Sequence, residues 1–214
     1  MYKKSLFVTF EGIEGSGKSY QSKRLYLNLK KNKISSLITR EPGGTKGAEI
    51  IRDIILKDYF RLNPREKFGA YTDTLLYLAA RNEHIKNKIK PAILKKKIVI
   101  CDRFIDSTLA YQVYGKGVNR TFVDYVHKYI LKGIKPDITF VLKADLSKAL
   151  KRLNKRKKKN RYDKFSRSFY NKVQKAFIKI AKNNKRRYSI IDNSNDTKET
   201  EQIILKKIIS KLKK

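Results

Sequence analysis

The sequence predicts an α/β domain in which a five-stranded parallel sheet is flanked by helices on both faces, and three observations carry that prediction. Short apolar runs occur at Leu6–Phe10, Ile34–Ile38, Ile98–Cys101, Ile138–Leu142 and Tyr188–Ile191, each the length of a buried strand. Between them apolar residues recur at helical spacing, and strands that alternate with helices imply a parallel sheet covered on both sides. A glycine-rich segment, Gly12 to Ser19, lies where the first run gives way to the first helical pattern.

Taken in order, the first run sits in MYKKSLFVTFEG and stops at Glu11. It is too short for the apolar core of a signal peptide or for a membrane span, and reads as a buried strand. Helices are predicted over Lys18–Lys31, Ala48–Leu56, about Pro64 to Asn87, Phe122–Leu131, Leu146–Lys155, Ser166–Asn183 and Thr197–Leu212. A further short helix is expected after Asp106. The run KRKKKNRYDK, Lys155–Lys164, lies between two helical patterns and reads as a mobile surface segment. With 214 residues, 40% of them hydrophobic, and no long linker or internal repeat, a single domain spanning 1–214 is expected.

Composition excludes several classes. The single cysteine, Cys101, rules out an internal disulfide framework and a multi-cysteine zinc site, so the cytosol or an organelle matrix is the expected setting. A formal net charge of +34 would attract a polyanion such as nucleic acid. The lysines, however, are spread along the whole chain among many Ile, Asn and Tyr, as an AT-rich genome would bias ordinary surface positions. That reading is favoured, with no specific nucleic acid and no membrane as partner.

The segment Gly12-Ile13-Glu14-Gly15-Ser16-Gly17-Lys18-Ser19 fits the P-loop pattern, preceded by a strand-like SLFVTFE and followed by the amphipathic YQSKRLYLNLKK. Glycines let backbone N–H groups close around phosphate oxygens while the helix N-terminus adds its positive dipole end. Lys18 would hold the β- and γ-phosphates of ATP, and Ser19 would ligate Mg²⁺. A GTPase would need a guanine-reading Asn/Thr-Lys-x-Asp, and Thr197-Lys198-Glu199-Thr200 lacks the aspartate. Helicases and large motor ATPases are longer than this chain.

Two further segments close core strands at the carboxyl edge of the sheet, where α/β folds bind ligands. One is Thr39-Arg40-Glu41-Pro42-Gly43-Gly44-Thr45, the other Cys101-Asp102-Arg103-Phe104. Asp102 stands where P-loop enzymes place a metal-facing carboxylate, and Arg103 beside it can grip a phosphate through two N–H groups.

With these segments in view, the sequence resembles the thymidylate kinase family from Phe7 to about Lys179 and more weakly to the end. FEGIEGSGKS, TREPGGT, LLYLAAR, DRFIDSTLAYQ, KPDITFVL and NRYD carry the resemblance. Kinases for adenylate, guanylate or uridylate share the P-loop and a lid but differ at these segments. The resemblance implies the P-loop nucleoside monophosphate kinase fold with a short lid at about 154–166. It also implies transfer of the γ-phosphoryl of ATP to dTMP, for dTTP synthesis, and a homodimer paired through helices. Tyr77 then lies over thymine and Arg81 reaches the base; Thr108 and Gln112 hydrogen-bond the base edge, and Tyr111 lies beneath the deoxyribose. Arg52 and Arg103, with Arg40, lie near the dTMP phosphate, and Glu41 lies beside the sugar. Glu14 resembles the acidic P-loop residue of some members. No arginine occupies the variable P-loop positions, so the lid is expected to deliver Arg161, helped by Arg156, to the ATP phosphates, as in bacterial-type enzymes with lid arginines. Independently, Tyr77 and Arg81 are spaced to share one helix face, and Thr108, Tyr111 and Gln112 share a face of the short helix.

Overall fold

The apolar runs form strands β1 (Phe7–Glu11), β2 (Ser36–Arg40), β3 (Ile98–Asp102), β4 (Ile138–Lys143) and β5 (Tyr188–Asp192), all parallel, in the order β2-β3-β1-β4-β5. The computed structural model describes residues 5–57, 59, 66–155, 160–195 and 198–213. β1 is buried at every position because it is the central strand with helices on both faces, which is why its sequence is a nearly unbroken apolar run. Val8 and Phe10 pack on Leu25 and Leu29 of α1 (Lys18–Lys31) and on Ile204 and Ile208 of α9 (Lys198–Lys213). On the opposite face Phe7, Val99 and Cys101 meet Ile85 and Ile89, and Val141 meets Val173 and Phe177 of α8 (Arg167–Lys182). Chain order reverses around β1, and the crevice beyond the strand ends opens there. No described helix is long and apolar enough to cross a membrane.

Around this sheet lie α2 (Lys46–Leu56), α3 (Ala70–His84), α4 (Lys90–Leu94), α5 (Ile105–Thr108), α6 (Arg120–Leu131) and α7 (Leu146–Asn154). Thr45 starts α2 by accepting the Ala48 N–H on its hydroxyl at 3.3 Å.

Several boundaries differ from the sequence reading for local reasons. Ile34 lies in the stop that follows α1: Lys33 takes a left-handed φ of 55°, and the Ile34 N–H reaches back to Leu29 O at 2.9 Å. This hydrogen-bonded helix stop delays β2 to Ser36. The long helix predicted from Pro64 begins only at Ala70, because Gly69 is extended; Pro64 itself lies outside the described residues. At its far end that helix runs into a wider turn, Ile85–Ile89, and on through α4, whose Pro91 has no N–H to give a regular ladder. The helix expected after Asp106 starts at Ile105 and widens likewise over Leu109–Gly115. Finally, the described part of the basic run is not a solvated loop. Asn160 caps a turn at Arg161–Lys164, and Tyr162 is buried against Tyr77, Tyr111 and Phe165.

Candidate active site

The donor half follows from the turn between β1 and α1. Gly12 and Gly15 hold φ of 144° and 74°, and a Cβ on Gly15 would lie 2.2 Å from the Ala149 carbonyl oxygen, so only glycine fits. Lys18 is buried and donates from Nζ to Ile13 O at 3.0 Å, holding its charge inside the loop. The Ser19 hydroxyl donates to Asp102 Oδ2, which brings the ends of two distant segments together. Ser16 Oγ and Asp102 Oδ1 are buried without a hydrogen-bond partner. Groups of that kind in a polar crevice point to a ligand. Among the described residues no cluster of three or more His, Cys, Asp or Glu could cage a metal. One carboxylate and one hydroxyl instead suit Mg²⁺, which keeps waters and phosphate oxygens as its remaining ligands.

The acceptor half is a cavity of about 280 Å³. Every residue assigned to dTMP by resemblance lines it: Arg40, Glu41 and Arg52 from the β2–α2 region, Tyr77 and Arg81 from α3, and Arg103, Thr108, Tyr111 and Gln112 after β3. Glu14, Lys18, Ser19 and Asp102 open onto the same space, so donor and acceptor halves are continuous.

The cavity floor is a buried polar network. Arg81 donates from Nε to Glu41 Oε2 at 2.7 Å, from Nη1 to Thr108 Oγ1 and His127 Nε2 at 2.8 Å each, and from Nη2 to Phe104 O at 2.9 Å. Four of its five N–H groups are thus engaged, leaving one on Nη2. His84 Nδ1 lies 3.1 Å from the second Glu41 oxygen and its Nε2 lies 2.7 Å from Thr39 Oγ1. Burial, then the Arg81 charge, push His127 down to about 3, so its ring is neutral and its Nε2 accepts from Arg81. Glu41 thus anchors Arg81 while also lining the cavity. Gln112 Nε2 is buried without a partner on the cavity wall.

Arg103 donates from Nη1 to Gly12 O and Ser107 Oγ, both at 3.0 Å, and from Nη2 to Glu14 Oε1 at 2.8 Å. Burial alone would raise the Glu14 carboxyl, but Arg103 and Lys18 outweigh it and hold it below the ordinary carboxylate range. Tyr111 donates its hydroxyl to Glu14 Oε2, and its ring packs edge-on against Tyr162 and Phe177. Arg52 donates to Pro42 O at 2.6 Å, and Arg40 turns toward Glu49 at 3.1 Å.

Arg161 is not at the phosphate loop in this conformation. Its guanidinium pairs with Asp73 of α3 and donates to Ile55 O, because Asp73 is a buried carboxylate that also draws Lys116 and the Tyr162 hydroxyl. Arg156 lies outside the described residues. Besides Arg103, Arg152 of α7 touches the loop, from Nη1 to Gly15 O at 3.2 Å, and donates from Nη2 to Ser194 O at 2.8 Å. Sequence reasoning missed it, although Arg152 and Arg156 have helical i,i+4 spacing. It also missed Asp73, His84 and His127, which carry no motif.

The family model for thymidylate kinase matches residues 10–204. A thymidylate kinase of Halothermothrix orenii is 39% identical over 208 residues, covering 96% of this chain and 97% of the relative. One of a Wolbachia from Brugia malayi is 46% identical over 188 residues, covering 87% and 86%. The crystal structure of thymidylate kinase from Ehrlichia chaffeensis superposes with a TM-score of 0.73 at 34% identity, covering 96% of this chain and 99% of that one. Matched by the family model over 10–204 and by relatives of this identity along nearly their whole length, the chain belongs to the thymidylate kinase family.

Proposed function

We propose that this chain transfers the γ-phosphoryl group of ATP to dTMP, giving dTDP and ADP on the route to dTTP. The observation that carries the reading is the single cavity in which all nine acceptor residues meet Lys18, Ser19 and Asp102. A dTMP phosphate oxygen attacks the γ-phosphorus in line, the bond to the β-phosphate bridging oxygen breaks, and ADP departs. The protein's task is to hold two anions together and offset their repulsion. Lys18 holds the β- and γ-phosphates, and Arg103, with Arg52 and Arg40, holds the acceptor phosphate. Ser19 and Asp102 would hold Mg²⁺, which when bound neutralises charge on the β- and γ-oxygens. The remaining Arg81 N–H and the unpartnered Gln112 amide supply donors for the thymine carbonyls, and Tyr77 supplies an aromatic face. The two nucleotide substrates support a cytosolic setting.

The homodimer reading has support on one surface. Tyr71 and Leu75 of α3 and Tyr125 and Tyr129 of α6 are each at least half exposed. Tyr71 packs edge-on against Phe122, with ring centroids 5.4 Å apart, so the two helices present one apolar face.

A coupled ADP-release assay across nucleoside monophosphates tests the activity. dTMP is expected to give the highest kcat/KM, above CMP, GMP and AMP, and added DNA is expected to leave ATP turnover unchanged. Equal or higher kcat/KM for any of those three would remove the thymidylate reading and leave a P-loop kinase.

On this reading Tyr111 lies beneath the deoxyribose, and its ring, packed against Tyr162, Phe169 and Phe177, is expected to exclude ribonucleotides by not moving aside for a 2′-oxygen. Tyr111→Ala should therefore narrow the preference for dUMP over UMP. An unchanged preference with lowered dTMP turnover would make the ring purely structural.

A further inference from the structure

Glu11 ends β1 immediately before the phosphate loop and is fully buried, a costly place for a carboxyl group unless its oxygens have donors. Both oxygens face the turn that follows β3. Oε1 accepts the Phe104 N–H at 2.7 Å, and Oε2 accepts the Ser107 hydroxyl at 2.6 Å. Within that turn Arg103 has a φ of 71°, a left-handed conformation that a residue with a Cβ keeps only when its surroundings hold it. The Arg103 N–H donates to Phe10 O at 2.9 Å. Consecutive residues of β1, Phe10 and Glu11, thus grip the consecutive amides on either side of the Arg103 Cα. Ser107 closes a ring: its hydroxyl donates to Glu11 and accepts from Arg103 Nη1, and that same nitrogen donates to Gly12 O.

We propose that Glu11 is a positioning residue for phosphoryl transfer: by clamping the Phe104 amide and the Ser107 hydroxyl it fixes the left-handed turn that aims Arg103 into the cleft, and ties that turn to the phosphate loop. The proposal rests on the reading of Arg103 as a residue of the acceptor phosphate. A side chain that only filled space at the end of β1 would need no carboxylate, and an acid that only balanced charge would not need both oxygens on one turn. Burial first, and then the neighbouring Asp106, push the Glu11 carboxyl up to about 8, so the site keeps this acid against a desolvation cost.

A double-mutant cycle on the full chain decides the matter: wild type, Glu11→Ala, Arg103→Ala and the double variant, each read by kcat, KM for dTMP and melting temperature. Glu11→Ala is expected to lower kcat/KM for dTMP by about 10- to 100-fold, the usual size of a displaced positioning contact. In the Arg103→Ala background the same change should cost less than about 2-fold, because the two residues act as one unit. Glu11→Gln keeps an acceptor for the Phe104 N–H and a donor toward Ser107, so it should recover activity to within about 3-fold of wild type. Equal losses from Glu11→Ala in both backgrounds, or no loss in the first, overturn the proposal. If Glu11→Ala does not fold, Ser107→Ala replaces it in the same cycle with the same criteria. If wild type fails on dTMP, the reading of the cavity is what has failed, and the cycle is run with whichever monophosphate the panel shows to be the substrate.

Discussion

Replacing Arg81 with alanine is expected to lower the melting temperature by roughly 6–20 °C, the consequence of losing about 3–5 kcal/mol in a chain of this size. The size follows from burial: the Arg81 and Glu41 side chains are 2% and 3% exposed, so the pair is almost wholly shielded from water. Removal leaves the Glu41 carboxylate, among the described residues, with His84 as its remaining partner and withdraws the donor from Thr108, His127 and Phe104 O at once. An unpaired buried charge costs more than the pair itself is worth. The exposed pair Arg120–Asp124, with side chains 60% and 52% exposed, serves as the control. Arg120→Ala should move the melting temperature by less than about 2 °C, because water screens such pairs. Thermal melts of the two variants side by side check this, and a shift for Arg81→Ala no larger than the control would mean that the network relaxes around the gap.

How much of this was legible beforehand depends on the range over which each feature is encoded. β1, β3 and β4 could be read directly, because a strand covered on both faces is a continuous apolar run. The phosphate loop could be read because its glycines and its lysine are demanded by contiguous backbone geometry. The end of α1 could not, since its left-handed stop is Lys33 and not the usual glycine. The widened turns at Ile85–Ile89 and Leu109–Gly115 leave no mark in a pattern of apolar residues either. The acceptor residues came from family resemblance, and all of them converge on the cavity. What resemblance did not supply was the second layer. Glu11 looks like a polar strand end, and His127 like any residue on a helix. Asp73 meets Arg161 across a separation of 88 residues, a contact created by the packing of α3 against the Arg161–Lys164 turn.

That last contact bears on where the catalytic arginine comes from. Phosphoryl transfer commonly recruits an arginine to charge developing on the moving group, with a value of about 10³ to 10⁵ in kcat. The variable P-loop positions Ile13, Glu14, Gly15 and Ser16 offer none. In this conformation Arg161 is paired with a fully buried Asp73, so on the proposed reading the guanidinium must leave that carboxylate to reach the phosphates. Asp73 can release it without being stranded, because Lys116 also pairs with it and the Tyr162 hydroxyl lies 3.1 Å away. For the same reason Arg161→Ala should still fold. It is expected to cut kcat by at least roughly 10²-fold while leaving equilibrium dTMP binding nearly unchanged, the pattern of a group that acts in the transition state and not on the bound acceptor. Steady-state kinetics paired with dTMP titration by calorimetry separates the alternatives. A lowered melting temperature with near-normal kcat would reduce Arg161 to a tie between lid and α3. The stabilising charge would then have to come from Arg156 or from Arg152, whose Nη1 already reaches the phosphate-loop backbone at Gly15.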